Sequence, residues 1–414
     1  MPAETTDITR VMPFPWIGLL TLAGAIFASV TSEFLPTGLL PEMASDLDVG
    51  LSTAGFLITI FAATVVIATT PLAVLTRRYS RKMLVVVVLL VIALANVLAG
   101  LAPSYEILVG ARILGGLAHG LFWAVVAAYS AHLVPKHQLG KAVAVTSAGA
   151  SAAFVLGVPV GTALGHALGW RAAFVIIAGV VVILAIAVVK FLPPVDHRVN
   201  LATGEIPLPL HKDRSLRGVI IVCLVIVLLI TAQNTFYTYI APWLTDIAGF
   251  PSTSIAFLLF LFGGAGVIGL VVAGFAADRF PRLGFAVAVL TVMAAVIVLA
   301  VASGNQVVVV VAFVVWGVAF GGIPAMMQTR MLHTASFRMR DLAAALQTTA
   351  FNVGIGFGAL LGGLLLDGIG LESLAFVELA FLAVALLVSI GADAARSSRA
   401  RRRRPAWAPE FLSP

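Results

Sequence analysis

The chain has 414 residues, of which 61% are hydrophobic and only 10% are charged. A soluble domain of this length does not have that composition, so the sequence predicts an all-α membrane protein that crosses the bilayer many times. The net charge of +7 is distributed as a topology signal and does not indicate a nucleic-acid partner. The single cysteine, Cys223, excludes an intramolecular disulfide.

Twelve apolar stretches are long enough to span a membrane. They cover residues 15–38, 52–75, 83–102, 106–133, 142–166, 171–191, 217–241, 253–276, 283–302, 306–329, 342–365 and 372–392. The longest polar interval divides six stretches from six. We therefore predict a tail at 1–14, a six-helix bundle at 15–192, a linker at 193–216, a second bundle at 217–392 and a basic tail at 393–414.

The basic residues predict the orientation of these helices. Of the 25 Lys and Arg residues, all but Arg112 and Arg171 fall on one side of the predicted spans or in the tails. Basic loops stay in the cytoplasm, so both termini are predicted to be cytoplasmic, with the first span as its own signal anchor. The six arginines of residues 396–404 are expected to be disordered and to rest on anionic lipid.

The first span ends in T-S-E-F-L-P-T-G-L-L-P, residues 31–41. Glu33 follows Trp16 by 17 residues, roughly 25 Å of helix against a hydrocarbon core of about 30 Å. A carboxyl group inside a membrane is costly unless it is paired, hydrated or protonated, so Glu33 predicts a functional site. Pro36 and Pro41 are predicted to weaken the helix beside it.

The fourth span carries A-R-I-L-G-G-L-A-H-G-L-F-W. Its polar residues Arg112, His119 and Trp123 have helical spacing and share one face. Arg112 lies at a depth compatible with Glu33, and a pair between them would remove two isolated charges. That pair is either a working element or a static structural one. His119 is either a proton relay or a hydrogen-bonded structural imidazole.

The fifth span contains G-V-P-V-G-T-A-L-G, with Gly157, Pro159, Gly161 and Gly165. Small residues at four-residue spacing allow close helix contact, and the proline predicts a bend. The motif resembles the Gly-Pro motif of facilitator-superfamily exporters, although generic helix packing would also produce it.

Polar and aromatic residues of the second half form a candidate ligand-binding set. Amides and hydroxyls beside aromatic rings suit a hydroxylated ligand, but they also serve as hydrogen-bonding and packing groups between helices. The set is Gln233, Asn234, Tyr237, Tyr239, Trp316, Phe320, Gln328 and Asn352. Trp16, Trp170 and Trp243 lie near span ends and are predicted to anchor the helices at the membrane interface.

The two halves repeat each other. At a shift of 201 residues Pro41 falls on Pro242 and Glu33 on Asn234, and at a shift of 197 the three glycines of the fifth span recur in the eleventh. Such parallel repeats are one known transporter plan, with the substrate site between the halves.

The loop after the eighth span reads G-F-A-A-D-R-F-P-R and contains Gly274, Asp278, Arg279 and Arg282. It resembles the gating signature of the major facilitator superfamily, in which the glycine would allow close helix approach. The first-half copy departs from the signature because Arg77 replaces the acid, although Arg78 and Arg81 remain; ordinary cytoplasmic charge is the alternative reading.

Together these motifs resemble the sugar efflux transporters of the bacterial drug:proton antiporter group, related to arabinose efflux permeases. The resemblance implies a twelve-helix fold in two pseudo-symmetric halves, located in a bacterial inner membrane, and proton-driven export of a small molecule. We expect no cofactor, a functional monomer and no enzyme. It implies that Glu33, Arg112 and His119 couple protons or bind ligand and that Gln233, Asn234, Tyr237 and Asn352 are polar groups of the cavity. Trp123 and the other members of the second-half set are further candidates for binding the substrate, with core packing as the alternative for the aromatic residues. The alternatives are a drug exporter, an uptake symporter and a non-transporting sensor.

Overall fold

The computed structural model describes residues 14–76, 78–135, 138–193, 213, 215–336 and 339–402. Its regular structure in those residues is helical, and twelve helices are long and apolar enough to cross a membrane, as the sequence predicts. Nine of the twelve are single α-helices. They are α1 (Trp16–Asp46), α2 (Leu51–Leu75), α3 (Arg81–Gly100), α4 (Tyr105–His132), α6 (Trp170–Phe191), α8 (Ile255–Arg279), α9 (Pro281–Val301), α11 (Arg340–Ile369) and α12 (Ser373–Arg402).

The other three are interrupted near prolines. Helix α5 consists of Leu139–Ala152, a wide turn at Ala153–Gly157, and Val158–Leu168, where Pro159 has no N–H for the carbonyl of Val155.

Helix α7 runs over Leu216–Tyr237 and resumes as Ile240–Pro242 and Trp243–Ile247. Helix α10 consists of Gln306–Gly321 and Ile323–Thr334.

Helix α1 differs from its predicted form, because it continues unbroken through Pro36 and Pro41 to Asp46. A proline removes one helical N–H, and a neighbouring side chain can supply the missing donor inside a membrane. At Pro36 the prediction of a weakened helix was wrong because α4 supplies that donor, as described below.

The repeated glycines form matching helix contacts in the two halves. A side chain on any of the three α5 glycines would overlap a residue of α1, and the equivalent glycines of α11 are covered in the same way by α7. The facing pairs are Gly157 with Thr31, Gly161 with Leu35, Gly165 with Leu39, Gly354 with Ile230, Gly358 with Asn234, and Gly362 with Tyr239. The same ladder of contacts therefore builds both halves, as the repeat predicts.

The halves meet mainly through α2 with α11, α5 with α8, and α1 with the turn Ile240–Pro242. We call the side on which α1 begins and α12 ends the terminal side and the opposite side the loop side. Thr59 of α2 donates to the carbonyl of Gly356 at 3.1 Å, and Tyr239 of α7 packs against Gly55 of α2 near the loop side. The terminal-side segment Leu139–Ala152 contacts mainly its own half. The molecule is thus closed towards the loop side.

Two of the three predicted interface tryptophans are instead buried. Trp16 is 47% exposed, as an interface anchor would be, but Trp243 is only 1% exposed and packs edge-on against Phe236. Trp170 is buried as well, and its indole N–H donates to the carboxylate of Asp46 at 3.0 Å. Nearness to a span end did not predict exposure because neighbouring helices cover these rings.

The C-terminal boundary also differs from the prediction. The predicted tail begins at 393, whereas α12 continues to Arg402, consistent with the Ala- and Arg-rich sequence, which favours helix. Residues 1–13, 194–212 and 403–414 lie outside the described residues. These ranges include most of the predicted N-terminal tail and most of the predicted linker.

Candidate functional site

The structure places Glu33 inside the first half, where it is 5% exposed. It lies on α1 with Ser29 and Ser32, which the helical period puts on the same face. Arg112 and His119 of α4 are buried against this face. The predicted first-half residues therefore come together in one polar cluster away from bulk solvent.

His119 is held by hydrogen bonds at both ring nitrogens. The indole N–H of Trp123 donates to Nε2 at 2.8 Å, and Nδ1 lies 2.8 Å from the hydroxyl of Ser29. An indole nitrogen can only donate, so Nε2 is the acceptor and carries no proton. The imidazole N–H is therefore on Nδ1 and donates to Ser29.

The carboxyl group of Glu33 faces the same imidazole nitrogen. Its Oε2 lies 3.3 Å from Nε2 of His119. Because Nε2 presents a lone pair, an ionised carboxylate here would place two acceptors against each other. The one lone pair of Nε2 already accepts from Trp123, so a protonated Glu33 fits beside it as a neutral neighbour that removes this repulsion. The geometry of this site thus fits a carboxyl group that carries a proton.

Arg112 contacts Glu33 differently from the predicted ion pair. Its guanidinium donates to the main-chain carbonyls of Ser32 at 3.0 Å and Glu33 at 2.9 Å. The carboxylate oxygens of Glu33 form no ion pair with the guanidinium nitrogens. Because Pro36 has no N–H, it cannot donate the usual helical hydrogen bond to the carbonyl of Ser32, four residues earlier. Arg112 supplies that missing donor, so it stabilises the proline-containing part of α1.

The rest of the guanidinium is enclosed by the first half. Its central carbon lies 4.2 Å from the ring centroid of Phe61, a cation–π contact. Its Nε is buried and has no hydrogen-bond partner among the described residues. Arg112 is thus a fixed buried cation with one donor available to a further group.

Three members of the cluster were missed by the sequence analysis. Ser29 contacts His119, and the hydroxyl of Ser32 donates to Oδ1 of Asn96 on α3 at 2.8 Å. The spacing of Ser29, Ser32 and Glu33 on one helix face could have revealed the two serines. No pattern linked Asn96 to them, since its contact depends on how α3 packs.

In the second half, Gln233 and Trp316 are joined. The indole N–H of Trp316 donates to Oε1 of Gln233 at 3.0 Å, and its ring stacks on Phe236 at 5.4 Å and meets Tyr237 edge-on at 6.1 Å. Asn234, which occupies the repeat position of Glu33, donates to the carbonyl of Ile230 in its own helix. This half thus places a hydrogen-bonded aromatic cluster where the first half has charges.

The remaining predicted ligand residues are spread over the second half. Tyr239 lies at the loop-side contact between the halves and donates to the carbonyl of Ala359 at 2.9 Å. Phe320 is half-buried, and Gln328 is exposed in the terminal-side segment of α10. Asn352 is buried, and its Oδ1 has no partner in the part of the chain that the structure describes.

Glu378 is a buried acid that the sequence analysis overlooked. It is 0% exposed on α12, and neither carboxyl oxygen has a hydrogen-bond partner among the described residues. Its position within the apolar run L-A-F-V-E-L-A-F-L was a signal of the same kind as Glu33.

The gating signature is only partly visible. Arg77 and the side chain of Asp278 lie outside the described residues. Arg78 lies in the turn before α3, Arg279 is the last residue of α8, and Arg81 is half-buried. Among the described residues, no atom lies within 4 Å of the position that a side chain on Gly274 would take. Arg282 lines a cavity against α12.

Solved structures of transporters resemble the whole molecule. A bacterial homologue of the human lysosomal transporter Spinster, solved inward-facing and occupied, matches with a TM-score of 0.75 and 15% identity over 92% of this chain and 97% of that one. Its unoccupied form gives a TM-score of 0.70 at 16% identity over 91% and 97%. The nucleoside transporter NupG gives 0.70 at 13% identity over 91% and 98%. At these identities the likeness shows the fold alone.

Family comparison covers nearly the entire sequence in two overlapping matches, residues 22–349 and 222–413. The first match includes helices of both bundles, and the second covers the C-terminal bundle. Together with the twelve helices and the glycine ladders, these matches establish that the chain belongs to the Major Facilitator Superfamily.

Proposed function

We propose that this transporter is a proton-coupled efflux antiporter that exports sugars or similar small polar molecules by alternating access. The terminal side would face the bacterial cytoplasm. The observation that carries the proposal is the buried contact between Glu33 and an unprotonated nitrogen of His119, beside the fixed cation of Arg112.

The proton would work through two arrangements of this cluster. With its proton, Glu33 is neutral and rests against His119, the arrangement that the geometry fits while the halves are closed on the loop side. After release to the terminal side, the carboxylate would repel the lone pair of Nε2 and attract Arg112. Arg112 would then loosen its hold on the carbonyls of α1, which favours a different packing of that helix.

The unpartnered polar atoms support a hydroxylated cargo. Among the described residues, Arg112 Nε is a donor without an acceptor in the first half, and Asn352 Oδ1 is an acceptor without a donor in the second. A hydroxyl group both donates and accepts, so a polyhydroxy molecule could satisfy groups of either kind. Trp123 and Phe320, both half-buried, would provide flat apolar surfaces for it.

Transport in proteoliposomes tests the proton role. We expect Glu33→Gln to lose the acceleration that an imposed pH gradient gives to sugar transport, while Glu42→Gln, a change at a half-exposed acid of the same helix, retains it. A full response of Glu33→Gln to the gradient would refute the coupling role.

A drug exporter of the same fold is the second candidate. The aromatic cluster around Trp316 favours it, since such rings suit amphiphilic aromatic cargo. A thermal-shift screen of the purified protein against sugars and drugs separates the two, because a ligand of the native state raises its apparent stability. The direction of transport in oriented vesicles separates export from uptake.

A further inference from the structure

Nitrogen Nε2 of His119 lies between two groups that could donate to it. The indole N–H of Trp123 is at 2.8 Å, and Oε2 of Glu33 is at 3.3 Å. A neutral imidazole nitrogen offers one lone pair, so it accepts from one donor at a time. The shorter of the two contacts is the one from the indole. Trp123 therefore occupies the acceptor that the proton of Glu33 would need.

The imidazole itself is held in place. Its Nδ1–H donates to the hydroxyl of Ser29 at 2.8 Å, and the ring of Phe61 on α2 meets it edge-on at 5.3 Å. His119 is also buried. Nε2 thus stays directed at the same point, whichever donor occupies it.

Trp123 is less confined than the groups it contacts. It is half-buried, whereas Glu33 and His119 are buried. It follows His119 by one helical turn, roughly 6 Å nearer the terminal side. Among the described residues, its aromatic ring contacts are with His119 and Phe122, both of its own helix. A rotation of this side chain towards the terminal side would break its hydrogen bond to Nε2 and leave the other hydrogen bonds of the cluster intact.

The charges around the imidazole act on an imidazolium in opposite directions. Glu33 of α1 and Arg112 of α4 are the charged groups of the cluster, and α2 contributes the uncharged ring of Phe61. The charged residues of α3 and α5 lie near the ends of those helices. A carboxylate at 3.3 Å would stabilise an imidazolium, while the buried cation of Arg112 would destabilise it. Once the carboxylate turns towards Arg112, as the proposed cycle requires, an imidazolium at His119 loses its stabilising partner and releases its proton.

We propose that Trp123 controls when Glu33 gives up its proton. While the indole N–H occupies Nε2, the proton stays on Glu33; when the indole moves aside, Nε2 accepts it. The O–H bond of Glu33 breaks and an N–H bond forms at Nε2, which leaves a carboxylate and an imidazolium. The imidazolium then passes this proton to water on the terminal side and returns to its Nδ1–H form. This inference rests on the coupling role proposed for Glu33, and it makes Trp123 a positioning residue, since the proton does not pass through it.

Infrared spectroscopy of the purified full chain at neutral pH tests the proposal. The C=O band of protonated Glu33 is identified as the band that Glu33→Gln lacks, which separates it from any band of Glu378. Trp123→Phe keeps an aromatic ring but removes the N–H, so Nε2 becomes free. We expect the Glu33 band in the wild type and its loss, or a shift to lower frequency, in Trp123→Phe, because the carboxyl group then transfers or shares its proton. Trp16→Phe is the matched control, since Trp16 is exposed and lies outside the cluster, and it should leave the band unchanged.

The outcomes separate this inference from the proposed function. An unchanged Glu33 band in Trp123→Phe would overturn the inference and leave the coupling role of Glu33 standing. Absence of the band from the wild type would refute the protonated Glu33 of the proposed function, and this inference with it. In a His119→Phe background no Nε2 exists, so adding Trp123→Phe should have no further effect on the band; an effect as large as in the native background would contradict the proposal.

Proton flux into proteoliposomes without any cargo provides a second measurement. Because the indole lies one turn nearer the terminal side, a cargo that stacks on it from there would draw its N–H away from Nε2 and so tie proton release to cargo. Without cargo, Trp123→Phe should conduct protons at least threefold faster than the wild type under an imposed pH gradient, and the double variant with Glu33→Gln should not. Equal cargo-free flux in Trp123→Phe and the wild type would show that the indole does not control the proton.

Discussion

Arg112 and Pro36 should be thermodynamically coupled, since the arginine donates to the carbonyl that the proline leaves without a helical donor. In the native background, Arg112→Met leaves the carbonyl of Ser32 buried and unpaired, which costs about 1–3 kcal/mol. In a Pro36→Ala background, the new N–H of residue 36 serves that carbonyl. We therefore expect Arg112→Met to cost about 1–3 kcal/mol less there. The free-energy change from losing the buried charge is the same in both backgrounds, so it cancels when the two costs of Arg112→Met are subtracted.

The coupling is measured as the free energy of unfolding in mixed micelles, followed by helical circular dichroism. Pro41→Ala is the matched control: it is in the same helix, but the carbonyl it leaves without a donor is that of Thr37, which Arg112 does not contact. Arg112→Met and Pro41→Ala should be additive. If Arg112→Met costs the same, within about 0.5 kcal/mol, in the native and the Pro36→Ala backgrounds, the arginine does not serve as the substitute donor.

Three further changes test the packing. Gly157→Ala would overlap the Thr31 hydroxyl of α1 and should cost about 1–3 kcal/mol of unfolding free energy; unchanged stability would contradict this contact. Glu378→Met removes a buried carboxyl group that has no partner in the described structure, so we expect a gain of about 1–3 kcal/mol; a loss would reveal a partner. Gly55→Ala would overlap the hydroxyl of Tyr239 and should open the loop-side contact, seen as faster hydrogen exchange at the loop-side ends of α2 and α11; unchanged exchange would refute this role.

The sequence predicted the fold because hydropathy and glycine spacing are local signals. Each span is an apolar run, and glycines four residues apart mark a face for close helix contact whatever the partner is. The buried position of Glu33 followed from counting residues along α1. The contacts of Glu33 could not be predicted in this way. Arg112 and Glu33 lie at the same depth whether the arginine donates to the carboxylate or to the main-chain carbonyl.

Other differences have the same origin. Trp243 lies near the end of a span, yet the neighbouring helices bury it, and Asn96 joins the site only through the packing of α3 on α1. The missed residue Glu378 is of another kind. Its signal was in the sequence, an acid within an apolar run, and the criterion that identified Glu33 also applies to it.

The repeat shows how the two halves differ in chemistry. Both use the same glycine ladder, so the first and seventh helices are held alike. At the matched position, however, Glu33 faces His119 and can hold a proton, whereas Asn234 bonds its own helix and cannot ionise. The neighbouring groups follow this division, with a buried cation in the first half and an aromatic cluster around Trp316 in the second. If a proton drives the two halves past each other, it therefore acts on α1, which contacts α7 directly at the loop-side turn Ile240–Pro242.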